Sequence, residues 1–342
     1  MARFGWCLAI ALLGACDRGP FPARLGQELP PPDEKTHLSF FENLVIEPPA
    51  SQHIHGCVHA RVEIRDDLEP RLQVGLFSTP RTYPAWIRFA GERGADQPAL
   101  RSMAIKLWEF EGVRLHDPDE EYGSFDIMLF SHSVSPHKDA KTLADAIAAQ
   151  QAGKALWFYL NPFAFKGREY LIERDMRKTH TDLFEIDWNS ALPYKLGNGR
   201  AVKYLAESCA PPPDYIFNSA PNLETILHKR LLNEDVCFDL SVQIQTDPIQ
   251  MPIEDPRVAW EPADSTPIPV ARIIVPTQEY DSEDQMNFCR NIGFNPWRAT
   301  AAHQPLGGIN RAYRAWYERF NQAQRANGKQ RQYEPISFNI YF

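Results

Sequence analysis

Proline restricts this chain more than any other residue: 29 of its 342 positions are proline, spread along the whole length, about half again the usual ~5% share. A proline carries no backbone N–H and blocks the interior of a helix or of a central strand. Much of the chain must therefore run in loops and short strands, and a helical bundle is excluded. With 44% hydrophobic and 23% charged residues, the composition is globular and supplies a sizeable core for one large domain or two smaller ones. The formal net charge of -8 and the absence of any Lys/Arg run argue against a nucleic-acid partner, which requires a basic face. Small molecules are the expected partners.

Between the prolines and glycines, short apolar or alternating runs at 56–64, 85–90, 103–108 and 124–130 predict antiparallel strands. Residues 138–150 carry a helical repeat, and further strands are predicted at 236–245 and 270–275. The stretch 310–326 has helical spacing with a dense aromatic stripe, and Gly328 marks its expected end. The pattern is that of strands around a core with helices attached.

The first 16 residues, MARFGWCLAIALLGAC, place Arg3 before an apolar run and small residues before Cys16, the layout of a secretory signal. That run is shorter than the ~20 apolar residues a transmembrane helix takes. Leu13-Gly14-Ala15-Cys16 resembles a bacterial lipobox, which implies lipidation at Cys16 and a membrane attachment through that anchor only. Asp17 resembles the signal that retains some lipoproteins at the inner membrane, facing the periplasm. Residues 17–36, with Pro20, Pro22 and Pro30 to Pro32, read as a semi-rigid tether, and a single domain is expected over 37–342. Cys57, Cys209, Cys237 and Cys289 remain in that body. Their even number permits disulfides in an oxidising compartment, but they form no CxxC motif, and buried free thiols are the favoured expectation.

A series of blocks in order resembles the bacterial catalase-like family, small relatives of the haem catalases and of catalase-related allene oxide synthases. These blocks are His55-Gly56-Cys57-Val58, Pro84-Ala85-Trp86-Ile87-Arg88-Phe89, Arg101 to Leu107, Pro193 to Gly197, Asp235 to Pro248, Met251 to Asp255, Phe294-Asn295-Pro296-Trp297 and Pro305 to Arg311. The resemblance covers roughly residues 45–325. It implies an α+β fold: a catalase-like antiparallel β-barrel of about eight strands with flanking and C-terminal helices. It also implies haem b, with Tyr317 as the axial ligand of the haem iron and Arg88 on a propionate. The same Tyr317 falls with Tyr313, Trp316 and Phe320 on one helical stripe, which equally suits plain core packing.

Measured against that family, several positions are changed. The arginine expected four residues before the ligand tyrosine is Tyr313, and Arg314 stands one helical turn from Tyr317 as a substitute. The distal histidine falls on Ser51, the distal asparagine on Ser131 and the serine supporting the histidine on Ala90. Serine cannot act as the base that peroxide heterolysis needs. In an extended strand His53 shares a face with Ser51 and is a candidate to reach in. The implied function is a haem-dependent peroxidase or hydroperoxide-metabolising enzyme with an altered distal site, acting on a peroxide or lipid hydroperoxide. Two other readings stay open: a non-catalytic, haem-free barrel that binds another ligand, and a barrel in which His53, His55 and His59, alternating along one strand, hold a non-haem metal.

Overall fold

A computed structural model of the protein describes residues 24–43, 53–91, 97–115, 123–209 and 223–326. Cys16 and Ser51 lie outside the described residues. The elements in chain order are α1 (Glu34–Asn43), β1 (His53–Ile64), β2 (Thr82–Gly91), β3 (Arg101–Trp108), β4 (Ser124–Phe130), α2 (Ala140–Gln151), α3 (Ala155–Leu160) and α4 (Gly167–Met176). They continue with β5 (Trp188–Asn189), β6 (Tyr194–Lys195), β7 (Ala201–Ser208), α5 (Leu223–Asn233), β8 (Val236–Ile244), β9 (Ile268–Val275), α6 (Glu283–Asn291) and α7 (Gly308–Ala326).

The strands pair in the order β5-β4-β3-β2-β1-β9-β8-β7-β6, and β5 also pairs with β7. That last pairing joins the two ends and closes an antiparallel barrel of eight strands, with β6 as a short flap on β7. Closure removes the unpaired edges that an open sheet would expose. Strand alternation decides what fills it. Val58, Ala60 and Val62 of β1, Ala85, Ile87 and Phe89 of β2, and Met103, Ile105 and Leu107 of β3 belong to one interior core with Phe125, Ile127 and Leu129 of β4. Leu223, Leu227 and Leu231 join that same core, so α5 plugs one end of the barrel. Gly56 permits the plug: a Cβ there would stand 2.6 Å from Leu227 Cδ2.

The opposite face of β1 to β3 is covered by α6. Cys57, Trp86, Ala104 and Trp108 pack against Cys289, Ile292 and Phe294. Contrary to the expectation of free thiols, Cys57 is bonded to Cys289 and Cys209 to Cys237. The strand register explains the second pair, because Cys209 N donates to Cys237 O across the β7–β8 ladder. The packed body starts before His37: Gly26 N donates to Gln245 Oε1 at 2.8 Å, and Arg311 at the start of α7 is gripped by Glu28, Glu34 and Glu254. α2 is set by a capping box between Asp139 and Thr142.

Candidate functional site

One register shift in β1 organises the histidines. His53 pairs with Gly91 and Ile54 with Ala90, but Gly56 pairs with Phe89, leaving His55 as the extra residue of a bulge. Beyond the bulge the odd-numbered residues Cys57 and His59 face outward, toward α6. Before it, His53 and His55 turn to the barrel's plugged end, where both reach Glu224 of α5. His53 Nε2 lies 2.5 Å and His55 Nδ1 3.1 Å from Glu224 Oε1. Arg101 of β3 stands behind, its Nη1 3.1 Å from His55 Nε2 and its Nη2 2.7 Å from Gln97 O. His55 is buried, and desolvation, helped by the Arg101 charge, holds its imidazole down at about 4.

The ligand atoms of His53, His55 and Glu224 lie within 4.8 Å of one another. His59 is not among them: its ring rests on Trp86 at 3.8 Å, on the outward face. The expected convergence of three histidines is therefore corrected to two histidines and a glutamate, because the bulge reverses the face midway along the strand.

The outward face carries the second constellation. Arg88 of β2 is partly buried. Its guanidinium donates to Ile292 O at 3.1 Å and lies 4.6 Å from the Phe294 ring centroid. Among the described residues it makes no ion pair with a carboxylate. Desolvation lowers its pKa to about 10, with Tyr317 and Asp126 acting the other way. Beside it on the same face, Lys106 and Asp126 form an ion pair with both side chains sealed from solvent, at 2.7 and 2.9 Å. Asp126 also accepts from Asn295 N at 2.8 Å and faces Arg298 at 3.5 Å. Trp297 Nε1 donates to Asn310 O at 3.1 Å, so the segment 292–298 bridges this face to α7.

Tyr317 arrives from α7, half-buried beside Trp316. Burial raises its pKa, Tyr313 adds to that, and the Arg88 and Arg298 charges pull it back. Among the described residues its hydroxyl takes no hydrogen bond. Arg314, expected to assist it, is directed elsewhere: it pairs with Glu318 at 2.8 Å and lies 5.0 Å from the Trp297 ring centroid. Arg298 takes its place in the field of Tyr317. Ser131 accepts from Arg101 N and donates its own N–H to Arg101 O, both at 3.0 Å, extending the β3–β4 ladder. The structure thus sets Arg88 in the electrostatic field of Tyr317 and holds His55, with His53 beside it, against Ser131's partner Arg101, with the two groups on opposite faces of the sheet.

Sequence reasoning missed Glu224, which sits on a helix whose pattern was not singled out. Arg101, Lys106 and Asp126 were visible only as markers of the fold, although charged residues inside otherwise apolar strands signal buried partners.

A closed eight-stranded antiparallel barrel, plugged by one helix and flanked by helices on its outer face, defines the class. In known structures that class is the catalase fold. A bacterial catalase aligns with TM-score 0.62 and 16% identity over 94% of this chain and 67% of its own. A fungal catalase gives 0.60 and 14% over 90% and 65%, and catalase A from Saccharomyces cerevisiae 0.62 and 15% over 90% and 68%. The chain spans about two thirds of the length of these catalases. No family profile matches the chain, and no curated protein sequence does.

Proposed function

We propose that this chain is a haem-binding protein of the catalase fold whose peroxide chemistry is weakened by an altered distal side. The observation that carries the reading is Arg88: a desolvated cation with no carboxylate partner among the described residues, set on the sheet face that Tyr317 approaches from α7. A desolvated cation without an ion-pair partner is costly, and a propionate would supply one. In this arrangement Tyr317 would hold the haem iron and Arg88 a propionate, while the Arg298 charge favours the phenolate form of Tyr317. When bound, the haem would supply redox-active iron for peroxide cleavage.

The chain's own residues then set the limits. Serine at 51 and at 131 offers no base to shuttle a proton at neutral pH, so high-turnover dismutation of hydrogen peroxide is not the function. A slow peroxidase acting on organic or lipid hydroperoxides fits better. Lipidation at Cys16 would hold it at the periplasmic face of the inner membrane, near such substrates.

The test is the visible spectrum of the protein purified from cells fed haem precursor, beside Tyr317→Phe and Arg88→Leu. A Soret band that shifts in the first variant and weakens in the second supports the reading. No band in the wild type, even after adding haemin, overturns it and favours the haem-free binding protein.

A further inference from the structure

We propose that the α3–α4 hairpin is a membrane-docking surface that inserts its aromatic tip into an anionic lipid bilayer, independently of whether haem is bound. Helix α3 buries none of its residues. Leu156 and Trp157 are 65% and 56% exposed, and Phe163 and Phe165, in the turn between the two helices, are 94% and 69% exposed. Isolated surface leucines need no explanation, but several large, highly exposed apolar side chains within one short hairpin do.

The turn holds these rings outward by its own hydrogen bonds. Phe163 N donates to Asn161 Oδ1 at 3.0 Å and Lys166 N to Tyr159 O at 2.9 Å, so the loop folds back on α3 and leaves Phe163 at its tip. Trp and Phe beside basic residues are the side chains that partition to a lipid interface.

Charge selects the bilayer as occupant. From Lys154 to Arg168 the sequence reads KALWFYLNPFAFKGR, with three cations and no acidic residue, in a chain of net charge -8. Lys154 and Arg168 are exposed at the two ends of the patch, and Lys166 lies 4.2 Å from the Phe158 ring centroid. A local positive rim around an apolar tip is complementary to anionic headgroups over acyl chains. Among the described residues no helix is long and apolar enough to cross a membrane, and the contact proposed here is a peripheral one.

The experiment measures hydrogen–deuterium exchange of the full chain with and without vesicles of phosphatidylethanolamine and phosphatidylglycerol. A parallel sedimentation assay compares it with Trp157→Ser/Phe163→Ser/Phe165→Ser. These side chains are exposed, so an unchanged melting temperature verifies the fold of the variant. Protection of residues 155–166 that appears only with vesicles, and partitioning weakened by about tenfold or more in the variant, is the expected result. Three outcomes overturn the proposal. Equal vesicle binding by both proteins without protection at 155–166 assigns the contact to the N-terminus. Protection without vesicles that grows with protein concentration assigns the patch to a second copy. Protection without vesicles at any concentration assigns it to the chain's own residues 327–342.

Discussion

Arg101 Nη1 stands 3.1 Å from His55 Nε2, and because a guanidinium can only donate, this contact assigns the lone pair of His55 to Nε2 and its proton to Nδ1, facing Glu224. A divalent cation between His53, His55 and Glu224 would need the Nδ1 lone pair instead. Arg101 therefore blocks the cluster as a metal site. Arg101→Met lets the proton move to Nε2, and zinc affinity, read by competition with a chromophoric chelator, is expected to rise by about tenfold or more. Equal affinity in the two proteins would contradict this tautomer.

Burial of neutral imidazoles makes the fold acid-sensitive. Desolvation lowers His55, His59 and His303 to about 4, against about 6.5 in an unfolded chain. Between those values the unfolded state binds more protons, so stability rises with pH and is lost as pH falls from 6.5 toward 4. Each histidine contributes at most roughly 3 kcal/mol across that window. Urea midpoints are expected to drop steadily from pH 7 to pH 4.5, before ordinary carboxylates titrate. A midpoint flat over that range would mean that these rings are not desolvated.

The Cys57–Cys289 bond joins residues separated by 232 positions, fastening α6 over the outer face of β1 to β3. Chain-entropy reasoning assigns a cross-link of that length about 5 kcal/mol, and measured losses run nearer 2–5. Reduction, or Cys57→Ser/Cys289→Ser, is expected to lower the melting temperature. It should also expose the α6 amides to hydrogen exchange ahead of the barrel strands, and an unchanged melting temperature under reductant would refute this role.

The strands were legible in the sequence because prolines and glycines bracket short alternating runs, and β1 to β4, β8 and β9 lie where that punctuation places them. The helix at 138–150 and the aromatic tail helix were equally plain. The bulge at His55 was not, since one added residue leaves the apolar pattern of β1 intact while reversing the face of everything before it. The pairing of Cys57 with Cys289 depends on α6 folding back across the barrel, which no local spacing encodes. Helices α3 and α4 escaped notice for a related reason: α3 is six residues long and apolar at every position, and α4 buries only Glu169, so neither shows the one-sided apolar stripe by which a helix is recognised. At the candidate site, Arg88 and Tyr317 were found through block resemblance, whereas Arg298 was hidden immediately after Phe294-Asn295-Pro296-Trp297 and gains meaning only when α7 packs beside it.

The proposed haem site makes a last prediction about proton transfer. Peroxide heterolysis requires a base that moves a proton from one oxygen to the other. Of the three histidines on β1, His53 and His55 are held by Glu224 on the face opposite Arg88, and His59, which shares the face of Arg88, is stacked on Trp86. None is free to take that proton over Tyr317. Placing an imidazole there with Ser51→His is expected to raise peroxide-dependent oxidation of a dye by the haem-loaded protein by roughly 10²- to 10⁴-fold, the usual contribution of a positioned general base. The Soret position and haem content should stay unchanged, because Tyr317 and Arg88 are retained. An unchanged rate at equal haem loading would mean that residue 51 does not overlie the iron, and would move the distal side of this site elsewhere on the barrel.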